Sequence, residues 1–271
     1  MAFDVDAPVC RTCAVQQPPG AVPPRCAICD DERQWVPVGG QRWTSLAELR
    51  AEGHRSDIRD LEPCMTGIGV TPKLGIGQRA LLVQTDAGNV LWDCVGYLDD
   101  DAIAAVELRG GLSAIAVSHP HFHGAMVEWS HAFDDAPLLL PTADREWVLR
   151  DDTTIEWWED EVSPLPGIHL VRCGGHFDGS AVLFVEQAAE GRGAVLVGDT
   201  ATVVADRNVS FMRSYPNLLP LPAATVIQVA ERVTRYPFAR VYGGWWNAVI
   251  DADTGVIRRS AERYVRWVQG S

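Results

Sequence analysis

Three of the seven histidines of the chain fall within five residues, in Ser118-His119-Pro120-His121-Phe122-His123-Gly124, directly behind the apolar run Ala114-Ile115-Ala116-Val117. Such a run reads as the end of a buried strand, and alternate side chains of an extended segment point to one side. His119, His121 and His123 are therefore expected to converge where the strand gives way to a loop. Neutral imidazole is the commonest metal ligand, and a catalytic zinc site takes three protein ligands while leaving one position for water. A solvated polar loop is the rival account of any His-x-His pair.

Two later stretches argue against that rival. Gly175-His176-Phe177-Asp178-Gly179-Ser180 and Val197-Gly198-Asp199-Thr200 again place a ligand type just beyond an apolar or strand-like run.

With these residues in view the chain resembles the metallo-β-lactamase-fold hydrolases, whose signature is a strand-end His-x-His-x-Asp-His, a Gly-His-x-x-Gly-Ser turn, an Asp after a strand and a last His near the C-terminus. The resemblance covers roughly residue 64 to the end. It implies an α+β fold, the αββα metallo-β-lactamase-type sandwich. It also implies a first metal site of His119, His121 and His176, with Asp199 as the carboxylate that normally bridges to a second metal. Asp93 resembles the strand-end aspartate that buttresses the metal loop.

The sequence departs from that pattern at the second metal site. His123 and Gly124 stand where the family motif has Asp-His, and no histidine follows His176. The segment that would carry the last ligand reads Val241-Tyr242-Gly243-Gly244-Trp245-Trp246-Asn247. One metal is therefore expected. Asp199 and His123 are the candidate catalytic side chains. Three roles stay open for His123: a weak second site shared with Asp199, an acid or base, or a side chain facing away.

A second cluster lies upstream. Cys10-Arg11-Thr12-Cys13 and Cys26-Ala27-Ile28-Cys29 flank a Pro- and Gly-bearing linker. Doubled Cys-x-x-Cys pairs bring four thiolates around one tetrahedral ion, usually zinc, although iron suits the same ligands. Residues 1–36 are expected to form a small N-terminal zinc ribbon that binds its metal independently of the domain over 37–271. Trp35 and Trp43 should hold it in place. Cys64, Cys94 and Cys173 read as small core residues.

Charge and composition narrow the partners. A formal net charge of −13 repels phosphate backbones and anionic lipid, so neither nucleic acid nor membrane is expected. The N-terminus shows no basic and apolar leader pattern, no run is long enough to span a bilayer, and paired cysteines in an odd total of seven fit a reducing compartment. A cytoplasmic location is expected.

Secondary structure is legible in part. Ser45-x-x-Glu48 opens a short helix that Gly53 stops. The runs 81–85 and 89–93 read as a hairpin, and 99–108, entered through acidic residues, reads as a helix. Buried strands are expected at 170–172, 181–185 and 194–197. The apolar spacing of Val226, Val229, Ala230 and Val233, and of Ala261, Tyr264, Val265 and Val268, predicts two amphipathic helices. Trp157-Trp158 among acidic residues reads as a lid or edge, and Arg213 and Tyr215 as candidate substrate contacts.

The expected function is a metal-dependent hydrolase. One zinc at His119, His121 and His176 would lower the pKa of a bound water from near 16 towards about 7 and activate it against an ester, lactone, thioester or amide-type small molecule. The alternatives are a non-catalytic, metal-stabilised binding or scaffold protein and an iron-containing redox protein.

Overall fold

The computed structural model of the chain describes residues 4–270. The hairpin forms from Ala80–Thr85 and Gly88–Trp92, and closes at the Thr85 and Gly88 pair. It lies in a seven-stranded sheet of order Arg55–Glu62, Met65–Thr71, Ala80–Thr85, Gly88–Trp92, Ala114–Ala116, Leu138–Pro141 and Ile155–Trp158. The first four strands are antiparallel and the last three join in parallel. Parallel neighbours need crossovers: the helices Asp100–Leu108 and Met126–Ala132 supply the first two, and the connection through the 3₁₀ segment Thr142–Trp147 the third.

A second, six-stranded sheet runs Glu161–Leu165, Ile168–Arg172, Ala181–Val185, Ala194–Gly198, Arg240–Gly243 and Val249–Asp251. Its one parallel pair, Ala194–Gly198 with Arg240–Gly243, is bridged by the helix Ala223–Val233. The helix Thr254–Gln269 completes the outer layer and stops at Gly270, whose φ of 72° closes a left-handed cap.

Strand alternation decides which side chains face which layer. In Ala80–Thr85, Leu81 and Val83 enter the core between the sheets, whereas Ala80 and Leu82 pack under the helices of the first sheet. In Ala181–Val185, Leu183 and Val185 face the first sheet while Val182 and Phe184 meet the helices of the second. Both faces of each strand are buried, which explains the near-continuous apolar runs. The layers are helix, sheet, sheet, helix: the αββα sandwich.

Several local signals act as expected. The Ser45 side chain accepts from Glu48 N and that of Asp99 from Ala102 N, each opening its helix. The acidic tryptophan segment forms edges, with Ile155–Trp158 bordering one sheet and Glu161–Leu165 the other. The strands Arg55–Glu62 and Met65–Thr71 carried no sequence prediction. The first is an edge strand whose charges face water, so it lacks an apolar run.

The four N-terminal cysteines lie in a compact module. Val9–Cys10 pairs with Trp43–Thr44, so strand pairing reaches past residue 36. Trp43 packs against the cysteines, as expected, whereas Trp35 is 42% exposed. The module is closely applied to the main domain. A Cβ on Gly96 would stand 2.2 Å from the Ala14 carbonyl oxygen, and Gln16 N donates to Gly124 O at 2.9 Å.

Candidate metal centre

The ends of four buried strands meet on one side of the sandwich. Asp93 follows the strand Gly88–Trp92 at φ 64°, and its Oδ1 accepts from Ser118 N at 2.7 Å. Burial pushes the Asp93 carboxyl up to about 8. The Ser118 hydroxyl lies 2.8 Å from His119 Nδ1, so the expected buttress runs from Asp93 through Ser118 to the first histidine.

The three clustered histidines do not share one side. His119 is extended, but Pro120–Phe122 forms a 3₁₀ turn. Alternation ends there, and His123 N donates to Pro120 O at the start of the next turn. The turn folds His121 back to His119 and turns His123 towards the N-terminal module. There His123 borders a cavity of about 10 Å³ with Val15, Gln16, Leu149 and Arg150, room for one water at most. Burial first, and then the His119 charge, lower its pKa to about 3. Gly124 follows at φ 51°, where a Cβ would stand 2.6 Å from the carbonyl oxygens of Cys94 and Val95.

His176 and Asp199 reach the centre through glycines. Gly174 and Gly175 turn the chain at φ 71° and 89°, and a Cβ on Gly175 would lie 2.9 Å from Val229. Gly198, at φ 50°, lets its strand end approach the other: a Cβ there would fall 2.4 Å from Ser118 Oγ. The Met212 carbonyl can only accept, so His176 Nδ1, 3.1 Å away, carries the proton and turns the lone pair of Nε2 inward.

His119, His121, His176 and Asp199 each offer a ligand atom, all within 4.8 Å of one another. His176 Nε2 is 3.2 Å from His121 Nδ1, and Asp199 Oδ2 is 3.4 Å from His119 Nε2 and 3.8 Å from His176 Nε2. Nitrogen and oxygen ligands about 2.0–2.2 Å from a tetrahedral ion stand roughly 3.3–3.6 Å apart, so the spacing fits a metal. His119 Nε2 is buried without a protein hydrogen-bond partner and faces Asp199 Oδ2, as an inward-facing ligand would. Burial holds His121 well below its ordinary pKa and His176 at about 4, keeping the lone pairs that coordination needs. Burial works to raise the Asp199 carboxyl, but the close approach of His119 and the charges of His119 and His176 together outweigh it and leave the group below its ordinary value.

His123 lies outside this group, and aromatic side chains occupy the segment where a last histidine was sought. Phe122 is fully buried, 4.5 Å from the His119 ring centre, and meets Trp245 edge-on at 5.8 Å. A Cβ on Gly244 would lie 2.6 Å from the Phe122 ring. Trp246 lies over Gly67 and Gly69 and under the Arg59 guanidinium.

The cysteine module shows the same kind of geometry. Cys10 Sγ is 3.6 Å from Cys29 Sγ and Cys13 Sγ is 3.7 Å from Cys26 Sγ. Thiolates about 2.3 Å from a tetrahedral ion stand about 3.8 Å apart. Gln41 Nε2 donates to Cys10 Sγ at 3.1 Å, an outer hydrogen bond of the sort that steadies a metal-bound thiolate.

Sequence reasoning missed Arg33, which carries no motif. Its Nε donates to the His176 carbonyl at 2.7 Å, and its guanidinium lies 4.1 Å over the Phe177 ring that flanks all three histidines. Arg213 pairs with Glu32, and Tyr215 donates to the Asp199 carbonyl at 3.1 Å, so both candidate substrate contacts have partners within the protein. Asp144, also missed, accepts from Gly179 N at 2.7 Å and props the turn after His176.

None of the known protein-family models matches the chain. Among curated proteins it is 44% identical over 262 residues to the uncharacterized protein YmaE of Bacillus subtilis, covering 95% of each chain. Solved metallo-β-lactamases share its architecture at low identity. TMB-1 aligns at a TM-score of 0.59 and 11% identity, and DIM-1 at 0.58 and 12%, each over 79% of this chain and 98% of that one. A mutant metallo-β-lactamase from Cronobacter sakazakii aligns at 0.52 and 17% identity, over 79% of this chain and 96% of that one. No helix among the described residues is long and apolar enough to cross a membrane. The fold is that of the metallo-β-lactamases, and the chain belongs to the family of YmaE.

Proposed function

We propose that the chain is a metal-dependent hydrolase acting on a small molecule with an ester, lactone, thioester or amide-type bond. The observation that carries this reading is the convergence of four buried ligand atoms, all within 4.8 Å of one another, at the strand ends of a metallo-β-lactamase fold. His119, His121 and His176 would hold one zinc, with Asp199 as a further ligand or as the carboxylate that takes a proton. When bound there, zinc supplies a Lewis acid and lowers the pKa of water towards about 7. The chain's own residues orient the centre: Ser118 fixes the His119 ring, Met212 O fixes that of His176, and Tyr215 ties the Asp199 backbone. His123 is assigned a packing role beside the N-terminal module, in keeping with its place outside the group.

The four N-terminal cysteines would hold a second, structural zinc. Free thiols throughout fit a cytoplasmic setting, and the net charge of −13 disfavours nucleic acid as a partner.

A non-catalytic reading has one observation in its favour. All four ligands are side chains with 1–4% of their surface exposed, and closed four-ligand sites are usually structural. A screen of esters, lactones, thioesters and β-lactams with zinc-loaded protein separates the two, using His121→Ala as the blank. Turnover by the wild type above that blank supports the hydrolase, and its absence across the screen favours the binding protein. Iron in protein purified without added metal would instead point to redox chemistry.

A further inference from the structure

The N-terminal module and the metal centre share a contact through Arg33. The short helix Ala27–Asp30 carries Cys29 and leads directly into residues 31–34. That segment crosses the domain beside His176. Arg33 is only 7% exposed, with Nε on the His176 carbonyl and its plane on Phe177. Asp31 Oδ1 accepts from Arg33 Nη1 at 2.8 Å and fixes the guanidinium in that pose. The main domain grips the segment from the far side. Ser214 Oγ donates to Arg33 O at 3.0 Å, Asn217 Nδ2 donates to Glu32 O and Gln34 O at 2.9 and 2.8 Å, and Arg213 pairs with Glu32.

We infer that the cysteine module is the lid of the His/Asp centre and that Arg33 is its latch, so that metal at the four cysteines governs access to the metal at the histidines. The inference rests on both clusters holding metal and is independent of whether any bond is hydrolysed. Small metal modules are commonly unfolded without their ion, because ligand binding supplies their folding free energy. Loss of the ion at Cys10, Cys13, Cys26 and Cys29 removes the N-terminal anchor of residues 31–34 and leaves them held by the main-domain contacts alone, so Arg33 is released from His176 and Phe177 more often. Coupling of this kind is reciprocal, so metal at His119, His121 and His176 also tightens the cysteine site. A centre that is closed in the folded, fully metallated state opens by local release of about four residues, with no rearrangement of the sandwich.

The test uses full-length protein loaded with zinc, challenged with a chromogenic zinc chelator. Cobalt-substituted protein assigns the release phases, since only the thiolate site gives a sulfur charge-transfer band. Arg33→Ala should accelerate release from the His/Asp centre by about 5- to 150-fold, the usual range of coupling between sites, and, because the coupling is reciprocal, should weaken zinc binding at the cysteines as well. Arg33→Lys should fall between, because an ammonium can donate to the carbonyl but has no plane to lay on Phe177. Cys26→Ser should accelerate the His/Asp phase and raise hydrogen exchange over 31–34. If that variant does not fold, the pair Ser214→Ala and Asn217→Ala removes three hydrogen bonds of the grip, leaves Arg213 on Glu32, alters neither cluster's side chains and should also speed release. Wild-type release rates in Arg33→Ala, or in both the cysteine and the grip variants, would overturn the inference.

Discussion

The two clusters solve the same geometric problem with different parts of the chain. Cys10 and Cys29 meet across 19 positions, from two tight turns and a linker, whereas His121 and His176 meet across 55 and depend on strand ends from both sheets. The first closes within one short segment, and the second needs both sheets in place. If both hold metal, the cysteine site should act as a cause of local structure and the His/Asp site as a result of it. Loss of metal should unfold the one and merely loosen the other.

That contrast can be broken in order of expected effect. Cys13→Ser should remove one zinc equivalent and, because it deletes a structural metal, cost about 4 kcal/mol or more. A fall in Tm of about 8 °C or more in calorimetry would register it. A small fall with the zinc lost would mean that packing on Trp43 and Ala14, not the ion, holds the module.

The next test concerns Asp144, whose carboxyl burial pushes up to about 7, helped by Asp178 and opposed by the Gly179 amide and the charges of Arg33 and Arg172. Its neutral form is favoured in the folded state, so its contribution is greatest below the unfolded value near 3.8 and is lost as pH rises to about 7. Between pH 5 and pH 8 this should remove about 2–3 kcal/mol of stability, a slope that Asp144→Asn should flatten in urea titrations. The cysteine module should show no change between the two proteins.

Gly198→Ala should cost about 1–3 kcal/mol from its left-handed backbone alone. The new methyl also forces the two strand ends apart at Ser118. Zinc titration should then show weakened binding at the histidines and unchanged binding at the cysteines. Equal weakening at both would mean that the comparison has the wrong dividing line. The mildest change to the fold is Ser118→Ala, which removes the hydroxyl beside His119 Nδ1. It should lower zinc affinity at that centre by about 10- to 100-fold with Tm nearly unchanged.

Much of this was legible in the sequence, and the limits have physical causes. The cysteine pairs, the clustered histidines and the apolar strands are short-range patterns, and Ser45 and Asp99 cap helices through neighbours three residues away. The direction of His123 was not legible. It depends on whether Pro120–Phe122 continues the strand or turns, and a histidine pattern with period two does not decide that. Arg33 was invisible for a different reason. It acts on a carbonyl 143 positions away, and a backbone acceptor leaves no mark on sequence. The edge strand Arg55–Glu62 was hidden by the charges that protect it from pairing with another chain.

The turn at Gly124 limits engineering. Placing an Asp-His pair at 123 and 124 would put a histidine where even a methyl group meets two main-chain oxygens, at a backbone angle side chains rarely adopt. No single substitution crosses that barrier, because the loop over Cys94 and Val95 must move first. Phe122 and Trp245 would then have to give up their packing. Single substitutions at this turn therefore lose stability without adding a ligand, and directed evolution towards a binuclear centre should begin from the loop.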